Sequence, residues 1–271
     1  MRSTNCVLEL VNVSKSFNND FEVIKDISFK VKKGEFVCLI GPSGCGKTVL
    51  LYTIAGLLSP TSGKISKNGQ EINLIGPDRI MVFQDHMLFP WKSVIENVLF
   101  GLINFKISQS EKIIKAEKYL EMVGLSNFKN WPIHKLSGGM KQRVAFARAL
   151  VADPEILLMD EPFSALDSIS RRHLRKNLIE IWQKTKQTIL FVTHSMDEAI
   201  YLADTIYVMS SRPTTILKSY SVTLPRPRNA SNHVFVKLLK KLDHVIETEF
   251  NLDLNTSLSQ ASINKLIINN L

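Results

Sequence analysis

Apolar residues follow three regimes along this chain. From Val7 to about Gln84, short runs of β type alternate with turn signals, and Cys6 to Val13 and Val23 to Val31 alternate apolar with polar positions, the period of a half-buried strand. Gly34 marks a turn before the unbroken apolar run Phe36-Val37-Cys38-Leu39-Ile40. Ser59-Pro60-Thr61-Ser62-Gly63 reads as a turn and Lys67-Asn68-Gly69-Gln70 as a hairpin. From about Asp85 to Leu150 the pattern is helical. Ser108-Gln109-Ser110-Glu111 is a capping box, Ile113, Ile114, Leu120 and Val123 fall on one face, and Gly124 stops the helix. Beyond it, Ile156 to Met159, Thr188 to Val192 and Thr205 to Met209 are apolar runs separated by helical segments, which predicts buried parallel strands with crossover helices. Near the end, Val234, Phe235, Leu238, Leu239, Leu242, Val245 and Ile246 predict one amphipathic helix, packed on its own domain or offered to a partner, within an Asn-rich, nearly neutral stretch.

Composition narrows the class. The 271 residues are 45% hydrophobic and 22% charged, ordinary for a globular protein that buries a large core in one or two lobes. The net charge of +9 comes from scattered Lys and Arg, so it does not single out nucleic acid or an anionic membrane as partner. Three cysteines, Cys6, Cys38 and Cys45, are too few and too scattered for a disulfide framework or a metal site, and a reducing cytoplasm fits them. No apolar stretch approaches the roughly 18 residues of a membrane span; the best, Val94 to Phe105, is broken by Glu96, Asn97 and Asn104. The N-terminus, Met1 to Asn5, has no signal-peptide core.

Chemistry enters directly after the run Phe36 to Ile40. Gly41-Pro42-Ser43-Gly44-Cys45-Gly46-Lys47-Thr48 joins that strand to the helical run beginning at Val49, the context a phosphate-binding P-loop requires. Glycines let consecutive N–H groups face phosphate oxygens, and the helix N-terminus adds partial positive charge. Lys47 then reaches the terminal phosphates, and the Thr48 hydroxyl is placed to ligate Mg2+. The expected ligand is a nucleoside triphosphate. Ile156 to Met159 ends in Asp160-Glu161: Asp160, at the end of a strand beside the P-loop, can hold Mg2+, and Glu161 can orient and deprotonate a water. Leu136-Ser137-Gly138-Gly139-Met140 opens a helical run and presents a hydroxyl and free N–H groups, at Ser137, Gly138 and Gly139, to a second phosphate face.

With these three motifs in place the chain resembles the ATP-binding subunit of an ABC transporter, from about Val7 to Arg228, and Leu136 to Met140 matches that family's signature. The resemblance implies an α/β fold: a P-loop NTPase (RecA-like) core with an antiparallel β subdomain and an α-helical signature subdomain. It places the nucleotide-binding domain at 1–228, its helical subdomain at about 85–150, and a C-terminal helical extension at 229–271. It implies ATP and Mg2+ as cofactors, and two subunits sandwiching two ATP molecules, each between one P-loop and the other subunit's signature helix. Gln84 then matches the Q-loop residue that senses Mg2+ and the water, Asp167 the D-loop that communicates across the dimer, and His194 the switch histidine at the γ-phosphate. Phe17 matches the aromatic that stacks on adenine, with a core role and a rival in Phe21 both open.

Two stretches resemble the nitrate, sulfonate and taurine importer branch: Met87-Leu88-Phe89-Pro90-Trp91, and Ser211-Arg212-Pro213 with Leu224-Pro225-Arg226-Pro227-Arg228. Thr214 departs from that branch's usual glycine, as does Ser164 before the D-loop. The implied partners are a second copy or a paralogous subunit, transmembrane permease subunits and, indirectly, a solute-binding protein, with no nucleic acid. Pro90-Trp91 would help form a groove for a permease helix, or Trp91 would simply pack. The implied place is peripheral, on the cytoplasmic face of the membrane. The alternative is a soluble ABC ATPase acting on nucleic acid or ribosomes; such proteins usually carry two cassettes, a long coiled coil or zinc-binding cysteines, none of which this chain has. A metabolic P-loop kinase would leave Leu136 to Met140 unexplained.

Overall fold

The computed structural model describes residues 5–17 and 21–248. The segment before residue 5 and the part of the 229–271 extension beyond residue 248 lie outside the described residues. The two alternating runs form strands β1 (Cys6–Phe17) and β2 (Phe21–Lys32), paired antiparallel. β3 (Phe36–Ile40) is buried at every residue and leads into helix α1 (Lys47–Ala55). β4 (Ser62–Lys67) and β5 (Gln70–Glu71) close a hairpin in which Lys67 pairs with Gln70. Asn68 and Gly69 both take positive φ there, 50° and 79°, as a tight two-residue turn requires.

β6 (Arg79–Val82) is followed by helices α2 (Val94–Phe100), α3 (Gln109–Met122) and α4 (Gly138–Leu150). The capping box at Ser108 is formed, its hydroxyl and Glu111 each meeting the other's backbone N–H. The apolar face differs in part from the sequence reading. Ala116, Tyr119, Leu120 and Val123 are buried, whereas Ile114 is 67% exposed and Ile113 lies at the rim. β7 (Ile156–Asp160), α5 (Ser168–Thr185), β8 (Thr188–Thr193), α6 (Met196–Leu202), β9 (Thr205–Met209) and β10 (Ile216–Ser221) follow, then a helix α7 over 233–248.

The strands make two sheets. One is antiparallel, ordered β2-β1-β4-β5; the other is ordered β10-β9-β3-β8-β7-β6, parallel from β9 to β6 with β10 antiparallel at its edge. β7, β8 and β3 are buried at every residue, which explains their unbroken apolar runs. One face of the parallel sheet packs with α2 to α6, and Phe235 and Leu242 of α7 join that core. The other face, with α1 between, packs on the antiparallel sheet through Leu8, Leu10, Ile24 and Val31. This is an α/β fold with a parallel core and an antiparallel β layer.

The late Leu224-to-Arg228 stretch is a buttress. Arg228 is buried and donates to the carbonyls of Ile200, Ala203, Leu224 and Val222, closing the C-terminal end of α6; burial pushes its guanidinium down to about 10. Arg226 stacks 4.4 Å over the Trp182 ring and pairs with Asp204 at 2.6 Å.

Candidate nucleotide-binding site

The parallel sheet aligns four chain segments at its carboxyl edge, where ligands of open α/β sheets bind. β3 ends in residues 41–48, β6 runs on to Gln84, β7 ends at Asp160-Glu161 and β8 at His194. β8 lies between β3 and β7, so the strand carrying Asp160 is not the P-loop strand's direct neighbour. The contact is made instead by α1: Thr48 Oγ1 donates to Asp160 Oδ1 at 3.1 Å.

In residues 41–48 the backbone is tightly held. Gly46 has φ 121°, and a Cβ on it would stand 2.8 Å from Val23 Cγ1; one on Gly41 would meet the Met209 carbonyl oxygen at 2.8 Å. No side chain caps α1, whose N-cap is Gly46, so its first N–H groups are left for an anion. Lys47 is only 4% exposed, and its Nζ donates to the carbonyls of Gly41 (2.9 Å) and Pro42 (2.8 Å), which fixes the ammonium inside the loop. Cys45 is buried, while Ser43 and Gly44 are exposed at the tip.

Glu161 holds a left-handed φ of 41°, an unusual backbone for a branched-chain-free but bulky acid and a frequent mark of functional positions. Its N–H donates to Val192 O at 3.0 Å, continuing the β7–β8 ladder, and its Oε2 meets His194 Nδ1 at 2.9 Å. Behind His194, Thr193 Oγ1 donates to buried Glu198 Oε2 at 2.7 Å and accepts from Ser195 N at 3.0 Å. Burial raises the Glu198 carboxyl above its ordinary value, and the Thr193 hydroxyl pulls against that rise. Burial likewise raises Asp160, opposed by the Thr48 hydrogen bond and helped by the Glu161 charge. Two hard oxygens, from Thr48 and Asp160, therefore face one another beside a loop built for phosphate. That donor set fits Mg2+, which binds through one or two protein oxygens plus substrate phosphates. Val82 pairs with Met159, so Gln84 stands level with Glu161 on the neighbouring strand end, exposed.

Among the described residues, no hydrogen bond ties the remaining expected site residues to this edge. Ser137 caps α4 through Met140 N at 3.3 Å, and among the described residues no hydrogen bond joins Ser137, Gly138 or Gly139 to residues 41–48. Asp167 caps α5, accepting from Ile169 N (3.1 Å) and Ser170 N (2.9 Å); those amide bonds hold its carboxyl below the usual range. Phe17 is half-buried at the end of β1 with Lys15 5.2 Å over its ring. Phe21 is 52% exposed under Arg212, whose Nη2 lies 3.7 Å from the place of a Cβ on Gly44.

Residues 24–164 match the family model described as ABC transporter. This chain belongs to the ABC transporter family. The cassette is 49% identical over 199 residues to the taurine import ATP-binding protein TauB of Pelagibacter ubique, covering 73% of this chain and 75% of the other. It is 47% identical over 221 residues to the nitrate import ATP-binding protein NrtD of Synechocystis, covering 80% and 83%. A solved bacterial ABC transporter cassette, MJ0796 in its dimeric form, superposes with a TM-score of 0.70 at 30% identity over 80% of this chain and all of that one. The chain is an ATP-binding, ATP-hydrolysing cassette.

The sequence pointed to these strand ends but not to their supports. Arg171 and Glu198 carry no local signal, because their partners lie on other elements, and Arg212 and Thr214 stand out only through the branch resemblance, which gives them no partner. Arg148 likewise carries no local signal. Its Nη1 donates to Met87 O at 2.6 Å and its Nη2 to His86 O at 2.9 Å. It thereby shapes a groove of about 410 Å³ lined by Pro77, Phe83, Met87, Phe89, Phe100 and Ile103. Trp91 is 77% exposed beside it; its ring rests 5.6 Å from that of Phe89, so it packs on one side and leaves most of its surface open.

Proposed function

We propose that the cassette hydrolyses MgATP at the interface of two nucleotide-binding subunits and drives uptake of a small solute through separate transmembrane subunits. What supports the catalytic part is one juxtaposition: Thr48 on Asp160 and Glu161 on His194, side by side at the carboxyl edge of a sheet whose next strand opens into the phosphate loop. Lys47 and the N–H groups of residues 41–48 bind the phosphates, and Thr48, Asp160 and Gln84 would hold Mg2+, which would supply positive charge against the phosphoryl oxygens. Glu161 takes the proton of the attacking water, and His194, positioned by Glu161, contacts the γ-phosphate. Phe17 stacks on adenine. Ser137, Gly138, Gly139 and Asp167 act on the nucleotide held by the other subunit, a second copy or a paralogue, as the dimeric form of MJ0796 supports.

The relatives' names point to nitrate or taurine as the type of cargo: a small, anionic or zwitterionic solute. That cargo is read by permease and solute-binding subunits rather than by this chain. The apolar rim of Met87, Trp91, Phe100 and Ile103 around the Arg148 groove supports a docking surface for the permease, and with it a peripheral position on the cytoplasmic face of the membrane. Among the described residues no helix is long and apolar enough to cross it. The test is the Mg2+-dependent ATPase rate per subunit as protein concentration rises. It should climb toward a plateau as dimers form; a rate per subunit independent of concentration down to nanomolar monomer would overturn the shared-site reading.

A further inference from the structure

The turn between β9 and β10, residues 210–215, lies against the outer wall of the phosphate loop. Thr214 is its anchor. It is fully buried, its N–H donates to Val23 O at 2.9 Å, and its carbonyl accepts from Lys25 N at 2.9 Å, so it runs as a short parallel extension beside Ile24 of β2. Its hydroxyl donates to the carbonyl oxygen of Cys45 and lies 3.5 Å from where a Cβ on Gly46 would stand.

In a loop whose N–H groups are turned to phosphate, each buried carbonyl still needs a donor of its own, from within the loop or from outside it. Lys47 serves Gly41 and Pro42. The Cys45 carbonyl belongs to the peptide unit whose nitrogen is that of Gly46, so its direction sets where the Gly46 N–H points. Among the described residues the Thr214 hydroxyl alone meets it. Glycine, alanine or valine at 214 would leave a buried acceptor without a partner, and the peptide could flip to seek water.

We propose that Thr214 is a positioning residue for nucleotide binding: its hydroxyl fixes the Cys45–Gly46 peptide with the carbonyl outward and the N–H toward the phosphates. This rests on reading residues 41–48 as the ATP phosphate loop. The role is exerted before any chemistry, so it should move affinity and spare turnover.

The test compares Thr214→Val, which keeps the shape and removes the hydroxyl, with Thr214→Ser, which keeps the hydroxyl, by calorimetric titration of the full chain with ATP and by steady-state kinetics. Leaving the Cys45 carbonyl unpaired should weaken ATP binding and raise KM by about tenfold. The kcat at saturating ATP should stay within about twofold, and the serine variant should bind within about twofold of the parent. Thr214→Ala carries the same expectation as the valine variant should the latter melt below the assay temperature. Unchanged affinity in the variants lacking the hydroxyl, or equal loss in the serine variant, would overturn the role. Lys47→Ala separates the two readings. If it abolishes ATP binding while Thr214→Val is neutral, the positioning role alone falls; if Lys47→Ala binds ATP normally, the phosphate-loop reading falls with it.

Discussion

Asp160 is placed where folding and function pull in opposite directions. It is 5% exposed, and the Thr48 hydroxyl is its hydrogen-bonding partner. Burial raises its carboxyl, with the neighbouring Glu161 charge adding to the rise. An acid raised in the fold stabilises the fold as the protonated form. That contribution is complete below the ordinary aspartate value of 3.8 and is lost as pH climbs through the raised one, so at neutral pH the ionised group costs stability. A divalent cation with nucleotide phosphate offsets the cost, which is how a binding site can be a weak point of the empty scaffold. Asp160→Asn should therefore melt at a higher temperature than the parent at pH 7 without nucleotide, with the difference shrinking toward pH 4. It should also lose the stabilisation that MgATP gives the parent. Thermal melts at the two pH values, with and without MgATP, check both halves; a lower melting temperature at pH 7 would show that Asp160 stabilises the empty fold.

At the scale of elements, the Glu161–His194 contact is held by a closed circuit of elements rather than by its two residues alone. Arg171, on the first turn of α5, donates through Nη2 to Leu166 O at 3.0 Å, and its Nε stands 3.7 Å from Glu198 on α6. Glu198 holds Thr193, the residue before His194, and the loop 161–166 returns from Leu166 to Glu161. Truncating Arg171 removes its charge-assisted hydrogen bond to the Leu166 carbonyl, at about 2 kcal/mol, frees the loop and leaves buried Glu198 facing Arg175 alone of the two arginines. Arg171→Ala should cut kcat by about tenfold to thirtyfold with little change in KM for ATP, and Arg171→Lys should recover part of it. Steady-state kinetics decide; a rise in KM at full kcat would place Arg171 in binding instead.

None of this circuit was legible in the sequence, and the reason is separation. The sequence shows a residue's neighbours along the chain, and what was readable had a local cause: unbroken apolar runs for β3, β7 and β8, a capping box for α3, glycines for the phosphate loop. The order of those strands was not readable, and β8 lies between the phosphate-loop strand and the Asp160 strand. The face of α3 was half right, because Ile113 and Ile114 meet no opposing element and stay at or near the surface. The late Arg-Pro stretches could be noticed but not explained, since their partners, Asp204 on one side and Cys45 on the other, are 22 and 169 residues away.

On the scale of the whole molecule, the loop of residues 41–48 and the start of α4, the two surfaces proposed to face phosphate, do not meet among the described residues. Residues 41–48 open at the sheet edge, while α4 begins at Ser137 with Gly138 exposed and no hydrogen bond to that loop among the described residues. The first N–H groups of α4 lie beside small residues: a Cβ on Gly138 would find only Leu166 Cδ2, at 3.5 Å, so an anion can approach the helix end closely. Two incomplete faces on one chain satisfy each other when two copies pair head to tail, each ATP then bridging a loop and a helix start. In that proposed arrangement ATP would be part of the interface, and its hydrolysis would dissolve the pair. Glu161→Gln keeps the shape and the hydrogen-bonding reach toward His194 but removes the proposed base, so ATP should stay uncleaved and the pair should stay closed. In size-exclusion chromatography with MgATP, Glu161→Gln should elute as a dimer where the parent elutes mainly as a monomer. Adding Ser137→Arg, which sets a bulky cation at the α4 start, should return it to the monomer position. A double variant that remains dimeric would mean that the two copies meet through some other surface.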